Sequence, residues 1–120
     1  MSEKVAILGA SDKPERYSYK AFKMLQEYGH EPFPVSPSIK TLEGVEVSPD
    51  LSQLSGIDTV TVYVNPKVSS LAKDEIIRLH PKRVIFNPGA ENPELAGELK
   101  KVGIDPIEDC TLVLLRTAQF

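Results

Sequence analysis

The apolar residues of the chain occur in short runs, and segments with helical spacing separate them. Most of these runs lack polar alternation, as expected of strands that are covered on both faces. The pattern predicts five strands, at residues 5–8, 32–35, 59–64, 83–86 and about 105–108.

The segments between the runs carry helix signals at both ends. Residues 19–28 have apolar side chains at helical spacing, and Gly29 follows at the place of a C-terminal cap. Asn65-Pro66 and Asn92-Pro93 each combine an N-cap residue with a first-turn proline. They predict helices through Leu79 and Val102, the latter with Val102 facing inward. The sequence predicts irregular structure for residues 39–56, with a short helical turn near residues 50–54.

This alternation predicts an α/β protein of Rossmann-like type, with a doubly wound, parallel, five-stranded sheet in a three-layer α/β/α arrangement. Residues 1–120 are expected to form one domain. With right-handed crossovers, the simplest strand order is 3-2-1-4-5. A ligand would then bind at the carboxyl edge, between the loops after Leu8 and Phe86. The apolar run at 112–115 is expected to pack in the core, with a homodimer contact as the alternative.

Composition narrows the class of protein. Of 120 residues, 41% are hydrophobic, and 14 basic against 17 acidic side chains leave a net charge of −3. This charge favours neither nucleic acid nor an anionic membrane as a partner. The single cysteine, Cys110, excludes an internal disulfide and a multi-cysteine metal site, and no metal is predicted. Without an apolar run of ~20 residues or a signal-peptide pattern, the chain is expected to be cytoplasmic.

The turn after the first strand is the strongest candidate for ligand binding. Gly9 would let the backbone turn tightly there and approach a phosphate. Lys13 and Arg16 add positive charge, and Ser11 and Ser18 add hydroxyls, just before a predicted helix N-terminus. Together they suit a diphosphate, although a plain strand-ending turn in a solvated loop is the alternative.

An NAD site would need an acidic residue after the second strand, to bind the ribose diol. The chain has Ser36 and Pro37 there, and Glu31 lies at the opposite end of the same strand. A small NAD(P)-binding oxidoreductase or redox-sensing module is therefore the weaker alternative.

Four segments together are similar to the CoA-binding domain family, whose members include small stand-alone proteins and the CoA-binding domain of succinyl-CoA synthetase. They are residues 5–11, residues 35–37 with Lys40, residues 62–66 and residues 87–91. The resemblance covers nearly the whole chain, and it implies coenzyme A, or an acyl-CoA, as the cofactor.

The resemblance also implies which residues would contact CoA. The first loop would hold the phosphates, the second the adenosine phosphate end, the third the adenine, and the fourth would border the pantetheine arm. In that order the residues are Gly9, Ala10, Ser11, Arg16, Tyr17 and Ser18; Ser36, Pro37 and Lys40; Tyr63, Val64 and Asn65; and Asn87, Pro88, Gly89, Ala90 and Glu91.

No catalytic group is predicted. Ligases of this family use a phosphorylated histidine and further domains, whereas His30 and His80 lie at the amino ends of predicted strands, away from the ligand edge. Cys110 follows the last strand and is expected to be buried and inert. The chain is therefore expected to be a non-catalytic cofactor-binding protein, with a homodimer or docking to an enzyme left open.

Overall fold

The computed structural model describes residues 2–120; Met1, the first residue of the predicted domain, lies outside them. The main sheet contains β1 (Lys4–Leu8), β2 (Glu31–Val35), β5 (Thr59–Val62), β6 (Arg83–Phe86) and β7 (Asp105–Glu108). A small hairpin consists of β3 (Thr41–Leu42) and β4 (Val45–Glu46). The helices are α1 (Tyr17–Glu27), α2 (Pro66–Leu71), α3 (Lys73–Leu79), α4 (Pro93–Lys101) and α5 (Thr111–Arg116).

The predicted α/β class and the parallel five-stranded sheet are confirmed, but the neighbours of β1 are not those of the predicted order. The sheet runs β2-β1-β5-β6-β7, which is 2-1-3-4-5 when only its own strands are counted. Ile7 lies beside Pro34 on one side and Thr61 on the other. The expected order 3-2-1-4-5 is wrong because the chain between β2 and β5 crosses β1 to reach the sheet's other side. Right-handed crossovers permit both strand orders, so the handedness rule alone does not determine which of them forms.

Helices cover both faces of the sheet, as predicted. Val5 and Ile7 pack with Phe22 and Leu25 of α1 and with Leu115 of α5. The other face of β1 packs in a second cluster with residues of α3 and α4, namely Ile76, Leu95 and Leu99. Burial of each such large side chain contributes roughly 1.5–3 kcal/mol to folding. The two clusters are the two halves of a three-layer core.

Helix α1 spans Tyr17–Glu27 where residues 19–28 were predicted, and the other predicted helices match the local signals with two differences. The helix expected from Asn65 to Leu79 is divided at Ala72, where the backbone departs from helical geometry (φ −91°, ψ 3°). Val102, expected to face inward, is the exposed C-cap of α4. The segment 112–115 packs in the core as predicted, with Leu112, Leu114 and Leu115 buried within α5.

The segment expected to be irregular is better ordered than its sequence suggests. It contains the β3–β4 hairpin and a 3₁₀ turn at Leu51–Gln53, the turn lying where a helical turn was predicted. Ser48 forms a bridge with Val35, so the segment also covers the edge of β2. The first residues of segment 39–56 lie at the carboxyl edge of the sheet, because they come soon after the end of β2. Among residues 2–120, no helix has both the length and the apolar character needed to cross a membrane.

Candidate functional site

A cleft of about 550 Å³ opens at the carboxyl edge of the sheet, where the loops after β1, β2, β5 and β6 meet. The connection that follows β1 runs to β2 on one side, and the connection that follows β5 runs to β6 on the other side. The direction in which the chain crosses the sheet therefore changes between β1 and β5. Ligands of doubly wound sheets bind at such a point. The loops after Leu8 and Phe86 both border this cleft, but the loop after β5 lies between them and adjoins the glycine turn, so the loop after β6 forms the outer border.

Most of the predicted binding residues line this cleft. They are Gly9, Ala10, Ser11, Arg16, Tyr17, Ser18, Ser36, Tyr63, Val64, Asn65, Pro88, Gly89 and Ala90. Pro37, Lys40, Asn87 and Glu91 do not line it. Asp12, Lys13, Ser38 and Ile39 line it without having been included in the predicted contact set. Lys13 was expected to add positive charge at this end of the cleft. Ile39 could have been recognised because it is the single apolar residue in a polar stretch.

Gly9 forms the floor of the cleft at a point of very close packing. Its φ of +96° lies in the region that favours glycine. A Cβ there would lie 2.7 Å from Val64 Cγ1 and 3.3 Å from the Tyr63 carbonyl carbon. The amides of Gly9 and Ala10 both donate to Val35 O at 3.0 Å. The turn is thus held between β2 and β5, and no other residue would fit at position 9 without a shift.

The N-terminus of α1 lies at the cleft without a capping side chain. Arg16 occupies the N-cap position and makes no capping hydrogen bond, and the first turn has no acidic residue. By contrast, Asn65 accepts from Val68 N in α2, and Asn92 accepts from Leu95 N in α4. First-turn amides and the helix dipole favour an anion at such an end.

The charges beside this helix end are mixed but mainly positive. Lys13 and Arg16 line the cleft, and neither forms an ion pair with a carboxylate of residues 2–120. Asp12 lines it as well and offsets part of their charge. The arrangement can accept an anion with more than one negative charge.

The chain after β2 forms the opposite wall. Ser36 is buried, and its Oγ accepts from Ser38 N at 3.1 Å, which shapes the turn. Ser38 and Ile39 then line the cleft. Pro37 and Lys40 are exposed beside this wall. The wall therefore offers small polar groups and one apolar side chain.

Asn87 supports the cleft without lining it. Its Nδ2 donates to Thr61 Oγ1 at 2.7 Å and to Val62 O at 2.9 Å, and its Oδ1 accepts from Thr111 N at 2.9 Å. It is buried, and these bonds join β5, the end of β6 and the start of α5. Glu91 acts nearby in a similar way, because its Oε1 accepts from Gly89 N at 3.0 Å and fixes the loop that bears Pro88. Both residues hold the outer border in place.

Comparison with known proteins identifies the family. The sequence profile described as "CoA binding domain" matches residues 3–116. The chain belongs to the CoA-binding domain family. The resemblance inferred from its four loops is thereby confirmed.

Three relatives show how this family member compares with other proteins. A crystal structure of an uncharacterized protein is 41% identical with a TM-score of 0.96, covering 100% of this chain and 99% of that one. The uncharacterized protein YneT of Bacillus subtilis is 30% identical over 90% of this chain and 81% of its own length. The alpha subunit of acetate–CoA ligase [ADP-forming] II from Pyrococcus furiosus is 31% identical over 64 residues, which are 52% of this chain and 14% of that subunit.

Two further side chains of this CoA-binding domain lie at this edge of the sheet: Tyr63 lines the cleft and Cys110 does not. The Tyr63 hydroxyl is buried and makes no hydrogen bond of good geometry in residues 2–120, although the hydroxyls of Thr61 and Thr111, which bond to each other at 2.7 Å, lie close enough to lower the pKa of Tyr63. Burial raises the pKa of Tyr63 to about 12. Cys110 is half-buried, so the prediction of a buried cysteine is wrong. Cys110 lies between the edge strand β7 and α5, where it is the N-cap residue, and it does not line the cleft.

Both histidines lie at the opposite edge of the sheet, as predicted. His30 precedes β2 and accepts from Glu3 N at 3.0 Å through Nδ1. His80 ends α3, and its Nε2 lies 3.0 Å from Val102 O. No group of three or more His, Cys, Asp or Glu side chains in residues 2–120 is arranged to hold a metal ion.

Proposed function

We propose that this protein binds coenzyme A, or an acyl-CoA, in the cleft at the carboxyl edge of its sheet and performs no catalysis there. The observation that carries the proposal is the uncapped N-terminus of α1, beside unpaired Lys13 and Arg16, in a chain of the CoA-binding domain family. The diphosphate of CoA is the group that this end of the cleft suits best.

The diphosphate would lie over Gly9, between the first turn of α1 and the loop after β5. The lack of a side chain at Gly9 lets the ligand approach the backbone, and Arg16 can bind phosphate oxygens through two parallel N–H groups. Ser11 and Ser18, which line the same end, supply hydroxyl donors. The negative charge of the ligand would offset the otherwise unpaired positive charges.

The rest of the cofactor would follow the two walls. The adenosine end would contact Ser36 and its neighbours Pro37 and Lys40, with Tyr63, Val64 and Asn65 beside the adenine. The pantetheine arm would leave along Pro88, Gly89 and Ala90, which are held from behind by Asn87 and Glu91. Ile39, Val64 and Pro88 provide the apolar surface that such a ligand needs.

Non-catalytic binding is supported by the position of the reactive side chains. The residues that line the cleft include no histidine or cysteine, and the two histidines are at the far edge of the sheet. The matched segment is a small part of the Pyrococcus ligase subunit, so the ligase activity in that protein's name is not transferred. We infer a protein that stores, senses or presents the cofactor, in the cytoplasm.

The test is a thermal-shift and calorimetry panel with CoA, acetyl-CoA, dephospho-CoA, NAD and NADP at equal concentrations. CoA and acetyl-CoA should raise the melting temperature most, through preferential binding to the folded state. Dephospho-CoA lacks the 3′-phosphate and should rank below CoA. A larger response to NAD or NADP would favour the oxidoreductase alternative, and no response to any nucleotide would contradict the proposal.

A further inference from the structure

The turn of the β3–β4 hairpin contains Glu43 in a backbone conformation that is unfavourable for a residue with a side chain. Glu43 has a φ of +49° and Gly44 a φ of +81°. Two-residue hairpin turns with positive φ at both positions favour Asn-Gly or Gly-Gly, because other side chains are strained there. Strain of this kind is a reason to ask what the side chain does.

The carboxylate of Glu43 links the hairpin to α1. Its Oε2 accepts from Tyr19 Oη at 3.1 Å, and its Oε1 accepts from Lys23 Nζ at 3.3 Å. Tyr19 and Lys23 are one helical turn apart on α1, so a single carboxylate engages both. We call these three residues the clasp.

The clasp joins the two walls of the cleft from outside. α1 contributes Tyr17 and Ser18 to one wall, and the chain after β2 contributes Ser36, Ser38 and Ile39 to the other. That second wall continues directly into the hairpin, where Val47 N donates to Lys40 O at 2.9 Å. Residues 36–47, which we call the strap, are therefore tied to α1 next to the ligand site.

The strap is anchored unequally along its length. Leu42 and Val47 are buried and hold the hairpin to the core. Beyond the strap, Arg78 Nη2 donates to the carbonyls of Leu51, Ser52 and Leu54, which fixes the 3₁₀ turn to α3. The apolar cluster around Leu42 also includes Phe22 and Leu25 of α1. The hairpin therefore packs against α1 in the core, and the clasp adds an exposed polar link between them.

We propose that Glu43 is a positioning residue that holds the strap against α1 and so sets how firmly the cleft retains its cofactor. This inference rests on the proposed function. A ligand that binds the closed arrangement loses apparent affinity in proportion to the closed fraction. The clasp atoms are exposed, so each contact is weak, and loss of the clasp should weaken CoA binding by about two- to fivefold.

The decisive variant is Glu43→Asn. It creates the preferred Asn-Gly turn, so the hairpin should keep its fold and the melting temperature should stay equal or rise. CoA should nevertheless dissociate faster, and the amides of residues 36–42 should exchange faster in the free protein. An effect of charge alone would change the CoA affinity in the opposite direction, because removal of a carboxylate should strengthen binding of an anionic ligand.

Two further variants make the test specific. Glu46→Gln removes the same charge from the same hairpin, and Glu46 is exposed and outside the clasp. It should leave CoA affinity unchanged or slightly increased. Tyr19→Phe should weaken binding less than Glu43→Asn, and the two changes combined should be less than additive, because each removes the same contact.

The outcomes separate this inference from the proposed function. If the wild-type protein ignores CoA, the proposed function fails, and the exchange rates of residues 36–42 still report on the clasp. If the wild type binds CoA but Glu43→Asn matches Glu46→Gln in affinity and exchange, the clasp is overturned while cofactor binding stands. Tighter binding by Glu43→Asn would also overturn it.

Discussion

Gly9 and Val64 meet where the chain leaves β1 and β5: a Cβ added to Gly9 would lie 2.7 Å from Val64 Cγ1. The contact exists because β1 and β5 are adjacent in the sheet. The glycine turn is thus required by packing, before any ligand is considered. Gly9 is therefore weak evidence for a phosphate site. The case for that site depends more on Arg16 and on the N-terminus of α1, which has no capping side chain.

Gly9→Ala should reduce the free energy of unfolding by about 1–3 kcal/mol, because the new methyl group meets Val64 and an alanine is strained at φ +96°. Gly97→Ala is the matched control, since Gly97 lies within α4 with open space around it. That change should stabilise by up to about 1 kcal/mol. Urea denaturation measures both. Equal stability of Gly9→Ala and the wild type would refute the steric argument.

Arg16→Ala should weaken CoA binding by about 1–2 kcal/mol and reduce its dependence on salt, because the guanidinium is proposed to meet phosphate. Titration calorimetry at two ionic strengths measures this. Arg116→Ala removes the same charge from the last turn of α5 and should have little effect. Lys40→Ala should have a smaller effect than Arg16→Ala, since Lys40 does not line the cleft. An equal loss for Lys40 would show that its contact with the adenosine phosphate end is as strong as the contact of Arg16 with the diphosphate.

Tyr63→Phe should leave the stability of the fold unchanged or raise it by up to about 1 kcal/mol, because it removes a buried hydroxyl that makes no hydrogen bond of good geometry to Thr61 or Thr111. Burial raises the pKa of Tyr63 from 10.0 to about 12. The folded state therefore disfavours the phenolate, and the resulting stability is present below pH 10 and lost as the pH rises towards 12. Denaturation curves should show this alkaline loss in the wild type and a smaller one in Tyr63→Phe. Lower stability of the variant at pH 7 would mean that the hydroxyl has a partner.

Glu3→Gln should destabilise the fold by about 1–3 kcal/mol at pH 7, since Glu3 accepts from Thr59 Oγ1 at 2.7 Å and lies 3.4 Å from Arg83 Nη2. Burial opposes ionisation, but the Thr59 hydroxyl, Lys82 and Arg83 together hold the pKa of Glu3 below its usual 4.5. A lowered folded pKa gives stability that is present above pH 4.5 and lost as the pH falls.

Acid denaturation of the wild type and two variants tests this. The Glu3→Gln curve should be flatter below pH 4.5 than that of the wild type. Glu31→Gln, an exposed carboxylate at the start of β2, should follow the wild type. Parallel acid curves for Glu3→Gln and the wild type would show that Glu3 does not contribute in this way.

Much of the fold could be predicted from short stretches of the sequence. The Asn-Pro pairs begin α2 and α4 as predicted, and in both cases the asparagine caps its helix. Continuous apolar runs identified β1 and β6, because strands covered on both faces need apolar side chains throughout. The edge strand β7, Asp105–Glu108, has a weaker signal, since its two ends are charged and exposed. Gly9 could be recognised because a tight turn after a strand needs a positive φ.

The amino-acid sequence by itself determined the α/β class, the asparagine caps of α2 and α4, and the family, since these depend on neighbouring residues and on motifs. Only the tertiary structure decided the strand order, the burial of Asn87 beneath the cleft and the meeting of Glu43 with Tyr19. Each of these depends on contacts between residues far apart in the chain, whose partners local periodicity does not specify. The strand order in turn places the loop that bears Val64, rather than the loop after Phe86, directly beside the turn at Gly9.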